Sequence, residues 1–221
     1  MTNTAISSSV GRARLIYTIL LMAFIYAFVM LFIYESDTYR VTIEKEVLSS
    51  LSTLEPDAQK ELLNTTRARQ YQWVHASGLY ETLHDWFMPK RDVKYIEDMS
   101  KGILSKKYLV KFLKNFQYLS YQIIHRLTLL EFWAYTIFAF MVCLMVQGYY
   151  KWQIKQYRLG GQSVNATRIW TKIIWLTFLG LLGYLIIPNV FGAYSFQAPA
   201  ILLIIASLAA SKVAESYNKY A

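Results

Sequence analysis

Few residues in this chain have the types and spacing that chemistry requires. His75 and His84 lie nine residues apart, with Glu81 and Asp85 nearby. Imidazole and carboxylate together are ligands a transition metal accepts. On a straight helix, however, nine residues is two and a half turns, so the two rings would point to opposed faces. The spacing predicts surface or packing histidines and no metal site. Ser163, in the stretch Gly160-Gly161-Gln162-Ser163, is a hydroxyl beside a glycine turn. A serine nucleophile needs an oriented base within hydrogen-bond reach, and the loops expected on its side of the membrane hold no histidine. The stretch also lacks the lysine of a phosphate-binding loop. Cys143 is the single cysteine and lies inside an apolar run. It can form no disulfide within the chain, and burial there would disfavour the thiolate. The sequence therefore predicts no catalytic residue, no metal and no cofactor, that is, a non-enzymatic protein.

Polar groups inside apolar runs are a second source of chemistry, because an intramembrane acid marks function by default. Glu131 opens one run at its edge, where a carboxylate reaches water. Gln147 and Thr177 lie within runs and read as interhelical hydrogen-bonding groups. His125 is alone at the entry to the second run and reads as interfacial. A small transporter or channel, acting alone or as a homo-oligomer, is the alternative reading, and these polar groups are all the path it would have.

The elements that must position these residues are membrane helices. Of 221 residues, 55% are hydrophobic and only 17% charged, against roughly 25% charged in an average soluble domain. The apolar residues are contiguous. Leu15–Tyr34 is twenty residues without a charge, enough to cross a hydrocarbon core of about 30 Å as a helix. It has no small-residue cleavage site after it and reads as a retained anchor. Phe132–Tyr150 is a second uncharged run, and Ile173–Ser211 carries no charge at all. Pro188-Asn189, Gly192 and Pro199 divide that last tract into a hairpin. The expected fold is an all-α integral membrane protein of four transmembrane helices, with a helical extracytoplasmic domain between the first and second. Its segments are a cytoplasmic N-terminus over 1–14, helix 1 over 15–34, a periplasmic helical domain over 35–126 and helix 2 over 127–150. A basic cytoplasmic connector over 151–168, helix 3 over 169–187, a periplasmic turn over 188–198, helix 4 over 199–213 and a cytoplasmic tail over 214–221 follow. Gly180, Gly183 and the face of Ala206, Ala209 and Ala210 would allow close helix packing.

Charge placement sets the orientation. The net charge is +9, yet residues 35–126 hold 14 basic and 12 acidic residues. The excess flanks the apolar runs: Arg12 and Arg14 before the first, then Lys151, Lys155, Arg158, Arg168 and Lys172 around the connector, with no acid among them between Tyr149 and Lys172. Short basic loops stay cytoplasmic. These residues are expected to fix topology and to touch anionic lipid, at roughly 1 kcal/mol per basic residue. Direct nucleic-acid binding is not expected, since a few such charges support only weak, salt-sensitive contact.

Residues 35–126 read as helical throughout. Val47, Leu48, Leu51 and Leu54 recur at helical spacing, and Glu55-Pro56-Asp57 reads as a helix start. Leu62, Thr66, Trp73, Tyr80, Leu83 and Phe87 fall near one stripe ended by Pro89. From Tyr108 a further helical face runs without a breaker into the second span. About ninety residues make a small core, so Trp73, Tyr80 and Phe87 are also candidates for a partner interface, where aromatic residues are enriched.

Gly148, Ile154-Lys155, Arg158, Gly160-Gly161 and Ser163, then a Trp-containing span, Pro188, Pro199 and Lys219-Tyr220, carry a family resemblance. Over 126–221 in detail, and over the first half in layout, the chain resembles the membrane proteins of integrating conjugative elements and conjugative plasmids found among type IV secretion genes. It departs from that pattern at Gly161-Gln162, where a basic-acidic pair is common, and at Val164-Asn165, where an aromatic-His pair is favoured. The resemblance implies a non-enzymatic structural or assembly component of a conjugative DNA-transfer apparatus in the bacterial inner membrane. It would have several passes, both termini cytoplasmic and other membrane subunits as partners; homo-oligomerisation is compatible with it.

Overall fold

The computed structural model describes residues 17–18, 21–22, 25–26, 28–87, 106–157, 164–187 and 191–216. Among these residues every regular element is helical and no strand occurs. Helical backbone is present at the described positions between 17 and 32. It is followed by α1 (Ser36–Leu51), α2 (Pro56–Gln70), a π-helical turn (Tyr71–Ala76) and α3 (Leu79–Phe87). Then come α4 (Lys106–Thr136), α5 (Phe138–Gln156), α6 (Val164–Ile186), a short 3-10 turn (Gly192–Tyr194) and α7 (Ala198–Ser216). Pro56 opens α2 with Asp57 in its first turn, as the sequence predicts. The turn before it is held by Gln59 Nε2, which donates to Leu54 O at 2.8 Å.

Two helices, residues 166–186 and 198–216, are long and apolar enough to cross a membrane, and α4 with α5 makes up to a third span if the bent pair counts as one. The sequence predicts a straight run through the second span. The structure bends it by 60° between Thr136 and Phe138, at Ile137, whose backbone leaves the helical region (φ −100°, ψ 7°). No proline or glycine stands there to announce the bend, and nothing in the structure explains it.

The chain forms two compact units, the first from residues 1–43 and 69–121, the second from 44–68 and 122–221. In the first unit a side-chain cap closes the first helical run. Its last carbonyls have no intrahelical partner. Asn115 Nδ2 donates to Met30 O at 3.0 Å, Leu31 O at 3.2 Å and Tyr34 O at 3.0 Å. Lys111 Nζ donates to Ile33 O at 2.7 Å. Aromatic contacts continue the packing: Phe32 against Phe112 (4.8 Å between centroids), and Tyr39 edge-on to Tyr118 (6.2 Å).

The π-helical turn corrects the expected stripe. Leu62 and Thr66 are buried, but Trp73 is half exposed and its neighbour Val74 is buried instead. A π turn holds more residues than an α turn, so the inward position slips by one. Gly78 then adopts φ +73°, a left-handed conformation glycine takes without a Cβ penalty. His75 and His84 are therefore not on opposed faces of one straight helix. Tyr80 lies between them, 5.3 Å from His75 and 6.3 Å from His84.

In the second unit, Leu51, Leu62, Leu129 and Phe196 form an apolar core, with Val47, Leu54, Leu63, Phe132 and Trp133 against it. Helix α7 packs along both α5 and α6. The closest approach is at Gly148, where a Cβ would stand 2.4 Å from Ser211 O. The glycines singled out by sequence are looser: a Cβ on Gly180 would meet Leu202 at 3.3 Å, and one on Gly183 only Ile187 at 4.0 Å.

Candidate functional site

The second unit buries a charged pair. Arg126, on α4, and Glu46, on α1, are 1% and 4% exposed. The guanidinium meets the carboxylate through two bonds, Nε to Oε1 at 2.6 Å and Nη2 to Oε2 at 2.7 Å. This is the bidentate geometry that makes arginine–carboxylate pairs strong and directional. The remaining nitrogen, Nη1, donates to Tyr184 O and, at 2.8 Å, to Ile187 O. Those carbonyls lie at the C-terminal end of α6, which carries unpaired acceptors and partial negative charge. Arg126 thus caps one helix while neutralising an acid from another. Its Cζ also sits 4.9 Å from the centre of the Tyr184 ring, within cation–π range.

The turn after α6 is secured from the same place. Tyr184 Oη donates to Ser195 O at 3.2 Å, and Trp133 Nε1 donates to Phe196 O at 2.7 Å. One turn along α1 from Glu46, Ser50 lies 3.0 Å from His125 Nε2. A buried serine beside a histidine invites a nucleophile reading. The hydrogen-bond polarity opposes it. Ser50 Oγ already donates to Val47 O at 2.8 Å, so the ring nitrogen must donate to Ser50 rather than take its proton. Ser50 and His125 are also buried from any substrate. This pair is a structural bond between α1 and α4.

A second charged cluster closes the other end of the packed helices. Glu215 accepts from Lys155 at 2.7 Å and from Lys212 at 2.8 Å. Thr167 Oγ1 donates to Ser216 O at 2.8 Å. The five connector cations were expected to be unbalanced; Lys155 in fact has a partner on α7.

The other predicted residues are not gathered into one site. Lys151, Arg168 and Lys172 are exposed on α5 and α6. Arg12, Arg14, Arg158 and the Gly160–Ser163 stretch lie outside the described residues, as do Pro188 and the tail beyond Ser216. Of the proposed interface aromatics, Trp73 is half exposed, Tyr80 is partly buried in its ladder with the histidines, and Phe87 closes α3 with a side chain outside the description. Glu131, Gln147 and Thr177 stand on three different helices. Gln147 is exposed, and Thr177 is buried and donates to its own helix at Ile173 O. His125 is buried. Sequence reasoning missed Glu46 and took Arg126 as the last residue of the periplasmic helical domain. The available signal was on α4: Asn115, Gln122 and Arg126 recur at helical spacing within an apolar face, and all three are buried.

The family model described as "DtrJ-like: IncC plasmid conjugative DNA transfer protein DtrJ-like" matches residues 39–216. The chain belongs to the DtrJ-like family. The match includes Glu46, Ser50, His125, Arg126, Tyr184 and Glu215, so both charged clusters lie in the family's region. The first apolar run and its two arginines lie outside it. Membership implies a role in conjugative DNA transfer and agrees with the resemblance read from the connector and hairpin. No curated protein and no solved structure matches the chain.

Proposed function

We propose that this DtrJ-like chain is a non-enzymatic, inner-membrane structural or assembly component of a conjugative type IV secretion machine. The observation that carries the reading is the family match over 39–216 on a chain whose α6 and α7 are long and apolar enough to cross a membrane. In this reading the protein crosses the membrane four times, with both termini cytoplasmic. Residues 35–126 lie outside, and the aromatic surface around Trp73 meets other membrane subunits. The buried Arg126–Glu46 pair suits a scaffold: it fixes α1 to α4 and to the end of α6 without reacting with anything. Deleting the gene from a donor cell tests the proposal. Transfer frequency should collapse and return when the intact chain is supplied from elsewhere. Unchanged transfer in the deleted donor would refute it.

A further inference from the structure

We infer that the exposed face of α6 near its N-terminal end is a binding site for one anionic phospholipid, whose headgroup phosphate lies between Arg168 and Lys172. This rests on the reading of α6 as a membrane-crossing helix whose first turns face the cytoplasm. The basic side chains in the packed part of the second unit have different partners. Lys155 and Lys212 share Glu215, and Arg126 is held by Glu46. Arg168 and Lys172 remain exposed, one turn apart on α6, and the helix Val164–Ile186 contains no acidic residue to take them. Trp175 follows at the next helical step and is 52% exposed, with Leu176 exposed beside it. Residues at i, i+4 and i+7 share one helix face. That face therefore presents two cations, then an aromatic ring suited to the headgroup level, then apolar surface. A phosphate, a glycerol backbone and an acyl chain follow the same order. A soluble partner with an acidic surface would match the cations and leave Trp175 and Leu176 without a counterpart, so the lipid is the occupant that uses the whole face. Lys151 is also exposed, but on a different helix, α5.

The test is native mass spectrometry of the full chain in micelles, titrated with phosphatidylglycerol. The intact protein should retain one phosphatidylglycerol in preference to phosphatidylcholine. The double variant Arg168→Gln/Lys172→Gln should bind it about thirtyfold more weakly, the factor expected for two basic side chains at an anionic surface. Lys151→Gln should change binding far less. Equal losses in Lys151→Gln and the double variant would mean a diffuse field and would overturn the site. Displacement of the lipid by inorganic phosphate at comparable concentration would show a free-anion site instead. No preference for the anionic lipid, combined with loss of co-purifying proteins in the double variant, would assign the face to a protein. Because both variants retain the buried contacts of the second unit, unchanged lipid binding in the double variant with DNA transfer intact would overturn this site and leave the proposed function standing.

Discussion

Arg126 makes three kinds of contact from one buried position: a bidentate pair with Glu46, two bonds to the end of α6, and a cation–π contact with Tyr184. Removing one member of a buried pair leaves the other charge uncompensated, which costs about 3–5 kcal/mol. Arg126→Gln is expected to lose stability on that scale in thermal unfolding of the purified protein in detergent, and Glu46→Gln somewhat less, since Arg126 would keep its carbonyl acceptors. The double variant should lose less than the sum of the two, because each single change already breaks the shared contact. Additive losses would mean that the two side chains act independently. Ser50→Ala tests the neighbouring bond. As an ordinary hydrogen bond its removal should cost about 1–3 kcal/mol, the range for leaving a buried partner unsatisfied, and should leave DNA transfer intact wherever the protein still accumulates. Abolished transfer at normal protein levels would instead give Ser50 a chemical role.

At the scale of elements, the close approach of α5 and α7 depends on Gly148. Its added Cβ would meet a backbone oxygen at 2.4 Å, and backbone cannot rotate aside, so the helices must part. Gly148→Ala is expected to destabilise by about 1–3 kcal/mol as an overpacked contact. Gly183→Ala, whose Cβ would meet only a flexible side chain at 4.0 Å, should be neutral or gain up to about 1 kcal/mol from helix propensity. Unfolding midpoints of the two variants check the difference in sign. The contrast also shows what was legible in the sequence. Helix class, the start at Pro56, and the two helices of the final hairpin follow from apolar runs and breakers, which are local signals. The stripe through Leu62 and Thr66 held until the π-helical turn moved the inward position from Trp73 to Val74. The contact at Gly148 depends on what packs opposite, and no periodicity within one segment records that. The Arg126–Glu46 pair spans eighty residues of sequence; only the polar spacing of Asn115, Gln122 and Arg126 along α4 hinted at a buried partner.

At the scale of the whole molecule, the proposal fixes which parts of the chain meet which compartment. With Cys143 replaced by serine, Asp57→Cys should react with an impermeant maleimide added to intact cells, because Asp57 is fully exposed in the segment assigned outside. Tyr157→Cys, at a side chain 89% exposed next to the connector, should react only after the cells are opened. The reverse pattern would invert the topology and place the basic connector outside. The measurement that tests the central claim most directly is purification of a tagged copy from native donor membranes in mild detergent, with mass spectrometry of what accompanies it. Secretion-system subunits at fixed ratios are the predicted result. Recovery of the tagged chain alone would contradict the account.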